Sequence, residues 1–216
     1  MVAIEKTRRF LRENGIYVFA GYLTSSFLAT VRNNLVARKL LVQNIKIGSG
    51  AYLRGLSCVH MGEDFSAQDG LWLEAITRYN DQVFTPRIVI GNHVRASLFV
   101  HIAATHFVEI GDHVLMGSRV MITDHNHGQY SQGHTSPHIP PTCRPLDHDR
   151  RVTIGKNVWL GDGVVVTPDS SVGEGAVIGA NSVVIGNIPP FTIAVGAPAI
   201  VRKVFNFDSG TWDNIQ

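Results

Sequence analysis

The chain has 216 residues, 44% of them hydrophobic, with a formal net charge of +2. That length suits one large domain, or a core with short additions, and the apolar content is enough for a sizeable interior. The charge is too small for a nucleic-acid partner. Cys58 and Cys143 make neither a disulfide framework nor a metal motif, and no secretory pattern is present.

Residues 1–44 hold seven Lys/Arg against two Glu. A short basic helix is predicted over Thr7–Glu13. Apolar residues then recur at near-helical spacing, and a further helical stretch is predicted over Arg32–Leu41. Two readings of this basic-apolar arm stand side by side. It packs on its own domain or a neighbouring subunit, or it rests peripherally on an anionic membrane. The uncharged run Asn14–Val31 contains Gly, Asn, Thr and two Ser, and is marginal as a span.

From Ile47-Gly48 the chain repeats in sixes. Leu53 keeps the register, and Met61-Gly62, Ala67 and Leu73 resume it after a two-residue slip. Residues 75–87 interrupt the pattern and read as a loop or distorted coil. The repeat returns at Ile90-Gly91, Ala96 and Ile102. It slips again within Thr105–Glu109, where a corner is expected to bulge, and restarts at Ile110-Gly111, Met116-Gly117 and Ile122. Residues 123–151 then carry His125, His127, His134, His138 and His148 among four prolines. So long a non-repeating excursion inside a solenoid is commonly functional.

The cleanest hexads follow. Ile154, Leu160, Val166, Val172, Ile178 and Val184 occupy position one, and Gly fills position two in four of these six. Neither a helix nor a flat sheet has period six, whereas short strands and turns stacked coil on coil do. Three hexads make one triangular coil, with the aliphatic residue in the bore and Gly or Asn relaxing the backbone near the corner. The fold class is therefore an all-β solenoid, 45–204, with an N-terminal arm (1–44), an inserted loop (123–151) and a short C-terminal cap. Residues 198–205 can form a helix or an extended cap, and the tail 205–216 reads as weakly structured.

The richest local chemistry is Ile122-Thr-Asp-His-Asn-His-Gly128, where the last ordered coil meets the loop. A histidine held there can accept a proton near neutral pH, its second ring nitrogen oriented by a carbonyl or carboxylate. If the segment is extended, His125 and His127 point one way and Asp124 and Asn126 the other. A bland role, tying loop to barrel, remains open for either ring. His101 and His106, with His113 nearby, raise a zinc-dependent hydratase as an alternative, but their spacing fixes no ligand set and no metal is expected. The parallel edges of the C-terminal coils offer a ledge for an extended thiol cofactor, with Arg202 and Lys203 near a phosphate. There is no P-loop, dinucleotide fingerprint or nucleophile elbow.

The quoted motifs, together with Val100-His-Ile-Ala-Ala104, Ile154-Gly-Lys-Asn-Val-Trp-Leu-Gly161, Gly179-Ala-Asn-Ser-Val-Val184 and Ile188-Pro-Pro-Phe-Thr-Ile-Ala-Val-Gly-Ala-Pro-Ala199, resemble the hexapeptide-repeat acetyltransferases. The resemblance spans 45–204 and is greatest to the sugar O-acetyltransferase branch, especially that of lipopolysaccharide or capsule synthesis. It implies a left-handed parallel β-helix, acetyl-CoA as donor, a homotrimer, a sugar or glycan acceptor, lipid-linked in some cases, and a cytoplasmic location, at the inner face of the membrane if the 1–44 arm rests there. It places the general base at His125, with His101, Asp124, His127 and Tyr130 as acceptor-contacting or loop-positioning residues. It puts Trp159, Gly161, Ala180 and Lys203 near the cofactor groove, and Gly196, Ala197 and Pro198 near its adenine end. Asp162, Ile185 and Ile200 depart from the family pattern. N-acetylation of an amino sugar, free or nucleotide-linked, is the rival reaction.

Overall fold

The computed structural model describes residues 2–130 and 135–215, so His134 lies outside the described residues. An N-terminal helix, α1 (Val2–Leu40), precedes a solenoid of three sheets. The first sheet has nine strands, seven of them stacked in parallel from Lys46–Ile47 to Thr192–Val195 and two antiparallel at the C-terminal end. The second and third sheets have six parallel strands each, running from Tyr52–Arg54 to Val183–Val184 and from Val59–Met61 to Asn187–Ile188.

The position-one residues are the bore. Along the first sheet Ile47, Ala67, Ala96, Met116, Leu160, Ile178 and Ala194 stand in register. Leu53, Leu73, Ile102, Ile122, Val166 and Val184 do so along the second. Met61, Ile90, Ile110, Ile154, Val172 and Ile188 complete the third. All but Leu53 are buried, and they form one cluster. Each fully buried aliphatic side chain contributes about 1.5–3 kcal/mol, so the repeat is its own stabilisation.

The position-two glycines have a different reason from the one the sequence suggests. Gly161 is not at positive φ; a Cβ there would stand 2.7 Å from the backbone nitrogen of Ala180 in the next coil. Coil spacing, not backbone relaxation, excludes a side chain. The left-handed corner positions are a separate set, held by non-glycine residues such as His93, His113, Asn157 and Asn181 as well as by glycines. Asp162 explains itself here: its carboxylate accepts the Ser118 N–H of the previous coil at 2.5 Å, as Asp112 does for Asn92 at 2.6 Å.

Irregularity is concentrated at one corner, between the second and third sheets. In the first coil it holds a 3-10 turn, Leu56–Cys58. In the second, residues 75–87, expected as a loop or distorted coil, contain a β-hairpin pairing Arg78–Tyr79 with Gln82–Val83. In the third it holds the slip at Thr105–Phe107, and in the fourth the long excursion, closed at its base by Asn126–His127 pairing with Leu146–Asp147.

The two ends differ. α1 bends at Gly15 (φ 80°), and among the described residues its last turns anchor it: Val36 is buried, and Arg32 donates to the Ile47 and Gly48 carbonyls. Ile16, Tyr17, Val18, Phe27, Leu28 and Leu35 are exposed. The tail is not weakly structured. Ile200–Asn206 runs back along Thr192–Val195 and pairs with Thr211–Asn214, so the 198–205 cap is extended rather than helical. Phe191, Phe205, Phe207 and Trp212 stack edge to face around this hairpin, which closes the C-terminal mouth of the barrel.

Candidate active site

Asp124 is completely buried, and its carboxylate organises the irregular corner. It accepts the backbone N–H groups of Thr105, His106 and Phe107, each at 2.8 Å, and the Thr105 hydroxyl at 3.1 Å. The register slip is thus a nest of three successive amides closed on an anion. Burial pushes the Asp124 carboxyl upward. The His125 ring and the amides of Thr105 and His106 outweigh that, and hold it below the usual carboxylate range.

His125 Nδ1 stands 2.9 Å from Asp124 Oδ1 and 3.1 Å from Thr123 Oγ1. An ionised, buried carboxylate requires a donor there, so Nδ1 carries the proton and Nε2 keeps its lone pair. The ring is 11% exposed. The sequence expectation that His125 and His127 face one way and Asp124 the other does not hold. The strand ends at Thr123, the chain turns, and Asp124 and His125 meet. His127 is exposed and lies edge-on to Tyr79, 5.3 Å between centroids.

The excursion is clasped by the hairpin below it. Tyr79 donates its hydroxyl to the Thr142 carbonyl at 2.9 Å, and Gln82 meets both the N–H and the carbonyl of Leu146, at 2.7 and 3.1 Å. Tyr130 belongs to this cover: its hydroxyl donates to the His127 carbonyl (2.5 Å) and accepts from Arg144 (2.8 Å).

His101 is half-buried on the outer face of the second sheet, its ring tilted against Trp72 with centroids 5.0 Å apart. Burial lowers its pKa, Glu74 raises it, and the neighbouring His125 lowers it further, so the ring is neutral at pH 7. His106 lies 3.9 Å from Asp149, and His113 stacks on His93. The three rings of the zinc alternative are thus engaged separately. Among the described residues no three His, Cys, Asp or Glu converge as a metal site.

Trp159, Gly161 and Ala180 come together around a groove of about 250 Å³ with Asp162, Val177, Ile178 and Gly179, at the corner between the first and second sheets. Lys203 belongs to the same outward row: Trp159, Val177, Ile193 and Lys203 are successive neighbours. It stands three strands beyond Trp159, about 14 Å at ordinary strand spacing. Gly196, Ala197 and Pro198 form the turn beside it, and Val183 donates to the Gly196 carbonyl at 2.9 Å. The groove and His125 therefore flank opposite margins of the second sheet. A larger cavity, about 860 Å³, covers the third sheet's outer face and touches neither.

Sequence reasoning missed Thr105, Thr123 and Tyr79. The slip flagged Thr105 without revealing its ligand, and Asn80-Asp81 is turn chemistry that points to a tight turn just after Tyr79.

The family model described as bacterial transferase hexapeptide (six repeats) matches residues 151–186. A putative lipopolysaccharide biosynthesis O-acetyl transferase of Escherichia coli K12 is 38% identical over 89% of this chain and 95% of its own length. The dTDP-4-amino-4,6-dideoxy-D-glucose acyltransferase of Escherichia coli is 29% identical over 81% of this chain and 86% of its own. Among solved structures, the N-acyltransferase AntD of Bacillus cereus, in complex with dTDP-4-amino-4,6-dideoxyglucose and coenzyme A, superposes with a TM-score of 0.62 at 18% identity, over 82% of this chain and 91% of that one. That likeness is one of fold, consistent with a left-handed β-helix. The chain belongs to the hexapeptide-repeat acetyltransferases, and is an acyl-CoA-dependent transferase.

Proposed function

We propose that the protein transfers acetyl from acetyl-CoA to a hydroxyl of a sugar in a surface-glycan precursor, with His125 as general base. The Asp124–His125 contact carries this reading. A sugar hydroxyl is a poor nucleophile until its proton is removed, and Nε2 is left as an acceptor because Nδ1–H is committed to a buried carboxylate. The hydroxyl oxygen attacks the thioester carbonyl while Nε2 takes its proton. The tetrahedral intermediate collapses, the C–S bond breaks, and the imidazolium returns the proton to the departing CoA sulfur. Asp124 stabilises the transient imidazolium without taking a proton itself. The groove at Trp159, Gly161 and Ala180 is the proposed donor site. Lys203 and the 196–198 turn lie further along it, where the phosphates and adenine would extend. The 38%-identical relative named as a lipopolysaccharide O-acetyl transferase supports the hydroxyl.

A second reading, acylation of an amine on a nucleotide-linked amino sugar, is favoured by the relative and the solved structures that carry that sugar in their names. Mass spectrometry separates the two. Incubation with acetyl-CoA and a panel of sugars, amino sugars and nucleotide sugars should add one acetyl group, lost on mild base treatment if an ester and retained if an amide. An amide product overturns the main reading, and transfer undiminished in His125→Ala overturns the base.

The exposed apolar stretch of α1, bracketed by Arg12 and by Arg32, Arg38 and Lys39, supports a peripheral contact with an anionic membrane at its cytoplasmic face. Among the described residues no helix is long and apolar enough to cross a membrane. Flotation with phosphatidylglycerol vesicles but not neutral ones is the expected result. Assembly as a homotrimer is likewise proposed, testable by light scattering.

A further inference from the structure

The outward row of the second sheet changes character at the coil that carries His125. In register, coil by coil, it reads Tyr52, Trp72, His101, Met121, Val165, Val183. The half toward the N-terminal end is aromatic, and the half beside the donor groove is aliphatic. Ring centroids are 4.7 Å apart between Tyr52 and Trp72, and 5.0 Å between Trp72 and His101. Tyr52 is 41% and Trp72 43% exposed, so large ring faces meet solvent.

Tyr52 and Trp72 are tethered to each other through charged neighbours. The Trp72 indole donates to Glu74 Oε2 at 2.9 Å, Glu74 lies 3.6 Å from Arg54, and Arg54 donates to the Tyr52 hydroxyl at 3.4 Å. The barrel's core does not need them, since its side chains come from the opposite face of the same strands. Pre-ordered side chains spare a ligand the entropy of fixing them.

We propose that Tyr52, Trp72 and His101 form an acceptor subsite for an oligosaccharide, on which the sugars adjoining the acetylated one stack. A pyranose presents a face of C–H groups, whose partial positive charge suits the negative face of an aromatic ring. Glu74 and Arg54, beside the rings, offer an acceptor and donors to its hydroxyls. The ladder spans two strand spacings, about 10 Å, more than a single sugar ring fills, and it ends at His101, which pairs with Met121 on the strand leading into His125. The inference rests on the sugar-transfer reading above and narrows it, from a lone or nucleotide-linked sugar to a chain of several.

The test compares KM values for wild type, Trp72→Ala, Tyr52→Ala and Trp72→Phe. Acceptors are glucose, galactose and N-acetylglucosamine, the same sugars as UDP or dTDP conjugates, and tri- to hexasaccharides cut from the source cell's surface polysaccharide after de-acetylation with mild base. Wild type should prefer the oligosaccharides. Trp72→Ala should raise their KM about tenfold, as the loss of one stacked ring does, without a matching rise in the KM for acetyl-CoA. Trp72→Phe should recover most of the loss. An unchanged oligosaccharide KM in Trp72→Ala overturns the subsite. So does an effect confined to nucleotide conjugates, which makes the ladder a base-stacking surface, or a changed oligomer mass in the variants, which makes it a subunit contact. A wild-type enzyme that acetylates none of the sugars overturns the function itself, and the subsite with it.

Discussion

The corner between the second and third sheets exists in two forms. In the C-terminal coils it is minimal: Val166 passes to Val172, and Val184 to Ile188, with no excursion. In the earlier coils it holds a 3-10 turn, a hairpin, an amide nest and the 123–151 excursion. The regular coils are uniform because each must lie flat on the next, and their parallel edges make a straight ledge, the proposed donor site. The irregular corner departs from the repeat to bury a carboxylate, aim a histidine and build a cover over it. Stacking supplies the rigidity against which that departure is held in place.

Substitutions can break this contrast in graded steps. His125→Ala should lower kcat roughly 10²–10⁴-fold with the fold retained and the melting temperature reduced only by the loss of one charged hydrogen bond to Asp124, as steady-state kinetics and thermal unfolding would show. Asp124→Asn should act on both: replacing the buried anion leaves three amides facing a side chain that cannot satisfy them all, at about 3–5 kcal/mol of stability, read by urea unfolding, with kcat falling as well.

The pH dependence of stability follows from the direction of the Asp124 shift. A folded-state pKa below the unfolded one makes its contribution present above about pH 3.9 and lost as pH falls through the folded value. Acid titrations of wild type should keep this contribution through pH 4, and Asp124→Asn should lack that acid-dependent component.

Gly161→Ala tests the regular side. The added Cβ must push against the Ala180 backbone, costing about 1–3 kcal/mol and raising the KM for acetyl-CoA rather than lowering kcat. The smallest effect belongs to Tyr79→Phe, which removes one clasp on the excursion, about 0.5–1.5 kcal/mol. It should show as faster amide exchange around Thr142 and not as loss of the fold.

The solenoid was legible because one residue in six does the same physical work in every coil, so Ile154 through Val184 announce the bore without any long-range information. The slip at Thr105–Glu109 was visible as a break in that count. Its purpose was not, since the carboxylate it encloses comes from Asp124, one coil later. His125 was readable as a candidate base, but an extended reading of 122–128 turned Asp124 away from it, because the end of the strand at Thr123 leaves no mark in composition. The Tyr52–Trp72–His101 ladder was hidden for a related reason. Coils of unequal length put its rungs 20 and 29 positions apart, so no fixed period links them. The C-terminal hairpin was missed because its polar turn, Asp208–Gly210, reads like a frayed end, while Phe205 and Trp212, which pair across it, stand apart in sequence.

The central claim is that the Asp124–His125 pair works as one unit in acyl transfer. Its most direct test is a double-mutant cycle on the rate of CoA release in the presence of an acceptor that the wild type acetylates, using wild type, Asp124→Asn, His125→Ala and the double variant. If the pair is one unit, the double variant, compared as folded protein, is no slower than His125→Ala alone, since Asp124 acts on the chemical step through the ring. A double variant slower by the product of the two single losses would mean that the two residues act independently, and would contradict the account.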